Sequence, residues 1–163
     1  ALRLRVAPVS VRFRDRLQGH RDEWLPTEVG DFVLRRADGL FAYQLAVVVD
    51  DALQGISDVV RGADLLDSTG RQIFLQQALG LPTPRYLHLP VIANQHGAKL
   101  SKQTGARPVD RDPPRTLQVR VLELLGQSVP AELRDAGLEE FWAWAASSWT
   151  PERIPRTRSI RER

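Results

Sequence analysis

Runs in which apolar and charged residues alternate open the chain and predict a small β-rich piece. Arg3 to Val6 and Val9 to Arg14 follow this period of two, which is typical of half-buried strands. Val29 to Arg35 predicts a further strand, and the pair Asp38-Gly39 after it suits a hairpin turn. The polar segment from Gln18 to Gly30 predicts a loop.

The middle of the chain predicts an alternation of helix and strand. Tyr43 to Leu53 carries apolar residues on one helical face, and we expect a helix although its run of valines also suits a strand. Ile56 to Val60 predicts a strand, Ser68 predicts the cap of a helix that runs to Leu79, and Tyr86 to Ala93 predicts a buried strand. This order predicts one βαβ unit of a parallel sheet, in which ligands bind beyond the carboxyl ends of the strands.

The last third of the chain predicts helices and then a tail. Thr116 to Leu125 and Leu138 to Trp149 have helical apolar spacing, and Pro130 separates them. Aromatic residues in the second helix suit base stacking, but at this spacing they also suit packing. Pro151 to Arg163 holds five Arg, two Pro and few apolar residues, so we expect a disordered basic tail.

Composition narrows the class of protein. The 163 residues include no Cys and three His, so a structural zinc site within them is not expected. We find no run of about 18 apolar residues and no signal-peptide pattern, and therefore expect a soluble, cytoplasmic protein. The formal charge of +3 comes mainly from Arg. An Arg-rich surface permits contact with nucleic acid, but a bias in codon usage explains it equally well.

A possible phosphate-binding loop follows the second strand of the βαβ unit. The segment from Gly97 to Gln103 holds the only two lysines of the chain, Lys99 and Lys102, on either side of Ser101. A cationic loop of this kind stabilises charge that develops on phosphates during nucleotidyl transfer. Exposed lysines are also usual on a solvated surface, so the loop by itself leaves both interpretations open.

A possible carboxylate-binding site involves Arg61, which lies at the predicted carboxyl end of a strand. A guanidinium group can bind a carboxylate through two parallel hydrogen bonds, and Tyr43 could add a hydroxyl donor. The alternative is structural, with an ion pair between Arg61 and Asp64 and with Tyr43 in the core. We expect His88 to lie in the core strand and His96 to lie in an exposed loop.

Longer blocks of the sequence resemble one known family, the glutamate-specific class I aminoacyl-tRNA synthetases. The blocks are Asp31 to Gly39, Phe41 to Asp51, Val60-Arg61-Gly62-Ala63-Asp64-Leu65, Arg71-Gln72-Ile73, His88-Leu89-Pro90 and Lys99-Leu100-Ser101-Lys102-Gln103. They occur in the same order as in the family. Phe41-Ala42-Tyr43, Asp64 and the Lys-Leu-Ser-Lys-Gln loop resemble the short branch of the family that modifies queuosine in tRNA(Asp).

The resemblance implies an α/β fold: the second half of a Rossmann-type catalytic domain, with a β-containing insert and a short C-terminal helical appendage. The implied segments are part of the insert at 1–40, the Rossmann half with its KMSKS-like loop at 41–110, the helical appendage at 111–150 and the basic tail at 151–163.

The resemblance also implies an ATP-dependent ligase that activates L-glutamate and transfers it to queuosine in the anticodon loop of tRNA(Asp). Tyr43 and Arg61 would bind glutamate, Lys102 would contact ATP, and Lys99 would support it in catalysis. ATP would bring Mg²⁺, and the family implies Zn²⁺, whose ligands are not in this chain. We expect a monomer without membrane contact.

Two other interpretations remain open, a fragment of a glutamyl-tRNA synthetase and a non-catalytic tRNA-binding remnant. The chain begins at Ala1, contains no Met, and lacks the HIGH-like motif that holds the nucleotide in this family. We therefore expect it to be part of a longer product and to be inactive by itself.

Overall fold

The computed structural model describes residues 1–101 and 113–161, which form parts of two compact units, Ala1–Leu89 and Pro90–Arg163. The elements of the first unit, in chain order, are β1 (Leu2–Leu4), β2 (Ser10–Asp15), β3 (Gly19–Trp24), α1 (Leu25–Glu28), β4 (Phe32–Arg35), α2 (Tyr43–Leu53), β5 (Asp58–Gly62), a 3₁₀ turn (Ala63–Ser68), α3 (Thr69–Leu79) and β6 (Arg85–Leu89). Two predicted loop residues, Lys102 and Gln103, lie outside the described residues.

A four-stranded sheet in the order β3-β2-β6-β5 forms the centre of the first unit. β6 pairs in parallel with both β5 and β2, whereas β2 and β3 are antiparallel. The chain passes from β5 through α3 to its parallel neighbour β6, which confirms the predicted βαβ unit. The carboxyl ends of β5 and β6 therefore lie side by side, with Gly62 opposite Leu89.

The polar segment predicted to be a loop, Gln18 to Gly30, instead contains β3 and the short helix α1, so that prediction was wrong. Gly19 turns the chain with a φ of +86°, and β3 then pairs with β2 along its whole length. β3 lies at the edge of the sheet, so most of its side chains face solvent and can be polar. The strand forms through backbone pairing with β2, and such pairing leaves no apolar pattern in the sequence.

The hairpin and the helix after it agree with the sequence pattern. The turn at Gly39, with a φ of +87°, brings Phe41 into a single antiparallel bridge with Arg35, while β4 itself pairs with β1. α2 has the predicted bounds, Tyr43–Leu53. Its valine run is helical because Val48 packs against the buried side chains of Phe32 and Leu75.

The start of α3 is stabilised by a carboxylate from another element. Ser68 precedes the helix as expected, but its hydroxyl makes no capping hydrogen bond. The backbone N–H of Gly70 donates instead to the carboxylate of Glu23, a buried residue of β3. Burial raises the pKa of Glu23, and the hydrogen bond from Gly70 opposes that rise. In its ionised form the carboxylate interacts favourably with the positive end of the helix dipole. Gly80 ends the helix in the left-handed conformation.

The second unit is built around two helices. Its described elements are β7 (Val91–Ala93), α4 (Pro114–Leu124), a 3₁₀ turn (Ala131–Arg134), α5 (Leu138–Ser147), a 3₁₀ turn (Pro151–Arg153) and β8 (Ser159–Arg161). Phe141 is fully buried between the helices against Val119 and Leu122, so its role is packing. Trp142 and Trp149 are partly exposed.

Two predictions for the later part of the chain need correction. The single strand expected from Tyr86 to Ala93 is divided at Pro90, which has no N–H to donate. The tail expected to be disordered is ordered up to Arg161: Ile154 is buried, and β8 pairs in parallel with β7. The few apolar residues of the tail are therefore the ones that attach it to the rest of the unit.

The division into compact units differs from the segments expected from the sequence. β2 and β3 lie within residues 1–40, yet they share a sheet with β5 and β6. The boundary between the units falls after Leu89, where β6 ends. None of the described helices is both long and apolar enough to cross a bilayer.

Candidate functional site

The guanidinium group of Arg61 lies near the carboxyl end of β5 and is held by three other side chains. Its Nε donates to Nε2 of His88 at 2.9 Å. Its Nη2 donates to Oγ1 of Thr69 at 2.9 Å and to Oε1 of Gln72 at 2.7 Å, and it also approaches the carbonyl of Leu65. These residues come from β6, from the start of α3 and from the turn before it. The βαβ unit therefore fixes the guanidinium in place.

The imidazole of His88 connects Arg61 to a buried carboxylate. His88 lies opposite Arg61 in the register of β5 and β6, and its Nδ1 is 2.6 Å from Oδ2 of Asp15. Both side chains are fully buried. Arginine can only donate hydrogen bonds, so Nε2 of His88 must accept, and the ring proton must be on Nδ1, which donates to Asp15. The imidazole is thus neutral, with its tautomer set by its two neighbours.

Asp15 is well suited to hold that ring. Its Oδ1 accepts backbone N–H bonds from Leu17 at 3.0 Å, Gln18 at 2.7 Å and His88 at 3.3 Å. Burial raises the pKa of Asp15, but the hydrogen bonds from His88, Gln18 and Leu17 outweigh it and hold that pKa below its usual value. Asp15 is therefore ionised at neutral pH.

A chain of amides links Arg61 to the start of α2, where Tyr43 lies. Nε2 of Gln72 donates to Oε1 of Gln44 at 2.8 Å, and Nε2 of Gln44 is 3.3 Å from Oγ of Ser68. Gln44 follows Tyr43, the first residue of α2. Tyr43 is 51% exposed, so it is not a core residue, and that structural alternative was wrong. The residue is therefore accessible to a ligand.

Tyr86 lines the inner side of the Arg61 group. Its ring centroid is 5.3 Å from Cζ of Arg61, and its ring stacks on that of His88. Its hydroxyl accepts a hydrogen bond from Gln76 at 3.0 Å, and burial raises its pKa. Burial also raises the pKa of Asp51 near the end of α2, although the charge of Arg61 opposes this shift.

Every hydrogen bond that Arg61 makes within residues 1–101 and 113–161 ends on a neutral acceptor. The acceptors are an imidazole, a hydroxyl, an amide and a backbone carbonyl, and all four of these bonds come from Nε or Nη2. The N–H groups on Nη1 take no part in them. The guanidinium group of Arg61 therefore carries a positive charge and is held in a fixed orientation. This arrangement is suited to binding a ligand carboxylate.

The other predicted site residues lie in the second unit. Lys99 forms an antiparallel bridge with Ala93 and is exposed, and Leu100 donates its backbone N–H to Ile92 at 2.8 Å. Oδ1 of Asn94 accepts two backbone N–H bonds, from His96 and Ala98, and so closes the turn before Lys99. Ser101 is partly buried, and the remaining loop residues lie beyond the described range.

Sequence reasoning missed the partners of Arg61. Gln72 and His88 occur in the blocks that resemble the synthetase family, but neither was assigned a role, and His88 was expected only in the core, where it does lie. Gln44 also lies in one of these blocks without an assigned role, and Asp15 was not considered. The available signal was the presence of polar residues inside otherwise apolar elements, where burial requires a partner.

The described residues do not supply a zinc site. They contain no group of three His, Asp or Glu side chains placed to hold a metal ion, and the chain has no Cys. The zinc that the resemblance implies therefore has no fitting set of ligands in this part of the protein.

Comparison with known proteins identifies related sequences over nearly the whole chain. A family model described as "tRNA synthetases class I (E and Q), catalytic domain" matches residues 1–144. A glutamyl-Q tRNA(Asp) synthetase from Ectopseudomonas mendocina is 54% identical over 162 residues, which cover 99% of this chain and 55% of that protein. One from Aromatoleum aromaticum is 57% identical over 146 residues, covering 90% and 46%. The chain thus spans about half the length of the curated relatives it matches.

A solved structure with the same fold is more distant in sequence. The crystal structure of a glutamate-tRNA synthetase from Elizabethkingia anophelis matches with a TM-score of 0.68 at 21% identity. The match covers 97% of this chain and 35% of that one. At this identity the likeness establishes the α/β fold of a class I synthetase domain.

Proposed function

The chain belongs to the class I tRNA synthetases (E and Q), catalytic domain family, and on that premise we propose that its protein activates L-glutamate with ATP and transfers it to queuosine in tRNA(Asp). The relatives that are 51–57% identical are named for this glutamyl-Q reaction. The names of these relatives favour the tRNA-modifying branch over a fragment of a glutamyl-tRNA synthetase.

The observation that carries the proposal is the state of Arg61. A structural arginine is usually neutralised by a carboxylate, because an unpaired buried charge is costly. Arg61 is only partly buried, and its hydrogen bonds within the described residues all end on neutral groups. With Nε and Nη2 engaged, a glutamate carboxylate would bind on the Nη1 side. Tyr43, at the start of the helix that Gln44 ties to this site, would add its exposed hydroxyl.

ATP binding is proposed from the family resemblance. Lys102 would contact the phosphates, and Lys99 would support it, with Mg²⁺ bound to the nucleotide. The hydrogen-bonded turn from Asn94 to Gly97 supports this view, because it holds the backbone that leads into the loop. We further propose that the protein works in the cytoplasm and is a monomer; light scattering on the purified protein would test the oligomeric state.

Substitution of Arg61 by Lys tests the glutamate site. Lys keeps the positive charge but has only three N–H groups, all on one atom, so it cannot replace the bonds to His88, Thr69 and Gln72 and also present N–H groups to a carboxylate. We expect the KM for glutamate to rise about tenfold or more, as loss of a charged hydrogen bond predicts, while the KM for ATP changes little. Glutamate-dependent exchange of pyrophosphate into ATP, measured on the gene product that carries these residues, gives both constants.

The matched control is Arg85→Lys. Arg85 is an exposed residue of the same sheet, paired with Asp58 at 2.6 Å. Its substitution should leave both constants unchanged. If Arg61 has only a structural role, Arg61→Lys will lower the melting temperature and leave the KM for glutamate as it was. That result would remove Arg61 from the site and with it the main structural support for the proposal.

A further inference from the structure

Burial of the polar side chains of His88 and Asp15 costs free energy that their hydrogen bonds must offset. Both side chains are fully removed from solvent on central strands of the sheet, positions where apolar side chains are usual. Every ring nitrogen is nevertheless satisfied: Nδ1 by Asp15 at 2.6 Å and Nε2 by Arg61 at 2.9 Å, with Oγ1 of Thr69 also 3.3 Å from Nε2. Asp15 in turn is held by backbone N–H groups. The connected groups form a path from a fixed backbone turn to the guanidinium.

The direction of the hydrogen bonds along this path follows from chemistry alone. Asp15 accepts a hydrogen bond from Nδ1–H. Nε2 then carries no hydrogen, so its lone pair can accept a hydrogen bond from the N–H of Arg61. The other neutral tautomer would place an N–H against the Nε–H of Arg61. A carboxylate at position 15 therefore selects the tautomer that can hold Arg61.

We propose that His88, with its tautomer set by Asp15, is a positioning residue for Arg61 in substrate binding. The imidazole fixes the Nε side of the guanidinium, so that the Nη1 side stays oriented for a ligand carboxylate. This inference rests on the proposed function of Arg61 and adds two residues to it. Neither residue touches the substrate, so their effect should appear in glutamate affinity through Arg61.

Two substitutions of His88 separate its two hydrogen bonds. The amide of Asn overlaps the Nδ1 position, so His88→Asn keeps a donor to Asp15 and loses the acceptor for Arg61. The longer Gln places its amide oxygen near the Nε2 position, so His88→Gln keeps the acceptor and loses the donor. Positioning predicts a rise in the KM for glutamate of about tenfold in His88→Asn and a clearly smaller rise in His88→Gln. A structural role predicts that the KM values of the two variants stay at the wild-type level whatever happens to their melting temperatures.

Asp15→Asn tests the tautomer directly. Asn keeps an oxygen for the backbone N–H groups, but its amide donates to Nδ1 and so forces the proton onto Nε2, facing Arg61. Two-bond nitrogen-15 NMR on the full chain distinguishes the tautomers, and His20 and His96 are the only other histidines. We expect Nδ1–H in the wild type, Nε2–H in Asp15→Asn, and a raised KM for glutamate in that variant. His20→Asn, an exposed residue of β3, is the matched control and should change nothing.

The outcomes distinguish this inference from the proposed function. If Arg61→Lys raises the KM for glutamate but His88→Asn and Asp15→Asn do not, the positioning role is wrong and the function stands. An Nε2–H tautomer in the wild type would also overturn it. If Arg61→Lys leaves the KM for glutamate unchanged, the proposed glutamate site itself is wrong, whatever His88→Asn and Asp15→Asn show.

Discussion

Gly70→Ala is a substitution for which local and tertiary reasoning predict opposite results. Gly70 is the second residue of α3, the helix that supplies Thr69 and Gln72 to Arg61. Ala is a better helix former than Gly by about 1 kcal/mol, so helix propensity alone predicts a more stable protein. In the structure, however, an added Cβ would overlap the carboxylate of Glu23, which accepts a hydrogen bond from the Gly70 N–H.

The magnitude depends on how easily that carboxylate can move. Glu23 is buried in β3, with its Cδ about 3.0 Å from the position of the new Cβ. Overpacking of this kind costs about 1–3 kcal/mol, and loss of a carboxylate at a helix N-terminus costs roughly 0.3–1 kcal/mol more. Set against the gain of about 1 kcal/mol from propensity, the net loss in the free energy of unfolding should lie between about 0.3 and 3 kcal/mol.

Urea unfolding of the wild type, Gly70→Ala, Glu23→Ala and the double variant measures this effect and its cause. Without the Glu23 side chain the new methyl group has room, so Gly70→Ala should be neutral or stabilising by up to about 1 kcal/mol in that background. The double-mutant cycle should thus give a coupling of roughly 2 kcal/mol. If Gly70→Ala raises the stability of the wild-type chain, the contact with Glu23 is not important, and the reasoning is refuted.

Two further predictions concern the loop and the tail. Lys102→Ala should slow glutamyl-adenylate formation by about a hundredfold or more and change glutamate affinity far less, because a loop cation acts on charge that develops at the phosphates. Rapid-quench measurement of the activation step checks this, and an unchanged rate would mean that the loop is an ordinary solvated surface. Ile154→Ala should lower the free energy of unfolding by about 2–5 kcal/mol, because this side chain is only 3% exposed, whereas the same change in a disordered tail would leave urea unfolding unaltered.

Local patterns were sufficient to predict the elements that bury an apolar face. Apolar spacing predicted α2, which the structure has at Tyr43–Leu53, and the strand order around α3 predicted the βαβ unit. α3, at Thr69–Leu79, was predicted from Ser68 before it and Gly80 after it. Such elements carry their own signal because one side of each must be apolar to pack. β3 carried no such signal, since an edge strand needs only a partner backbone.

Arg61 and Tyr43 could be predicted as glutamate-binding residues from the sequence alone. Their residue types, their positions and the family that their blocks resemble all pointed to them. The sequence by itself could not assign a role to His88 or Asp15, which lie 27 residues from Arg61 and 73 residues from His88, respectively. Their contacts exist only because β6 pairs in parallel with β5 on one side and with β2 on the other. The register of those pairings decides which side chains meet, and register is set by the packing of the whole sheet. A hydrogen-bonded path across three strands is therefore a property of the tertiary structure, even though each of its residues is an ordinary polar residue in the sequence.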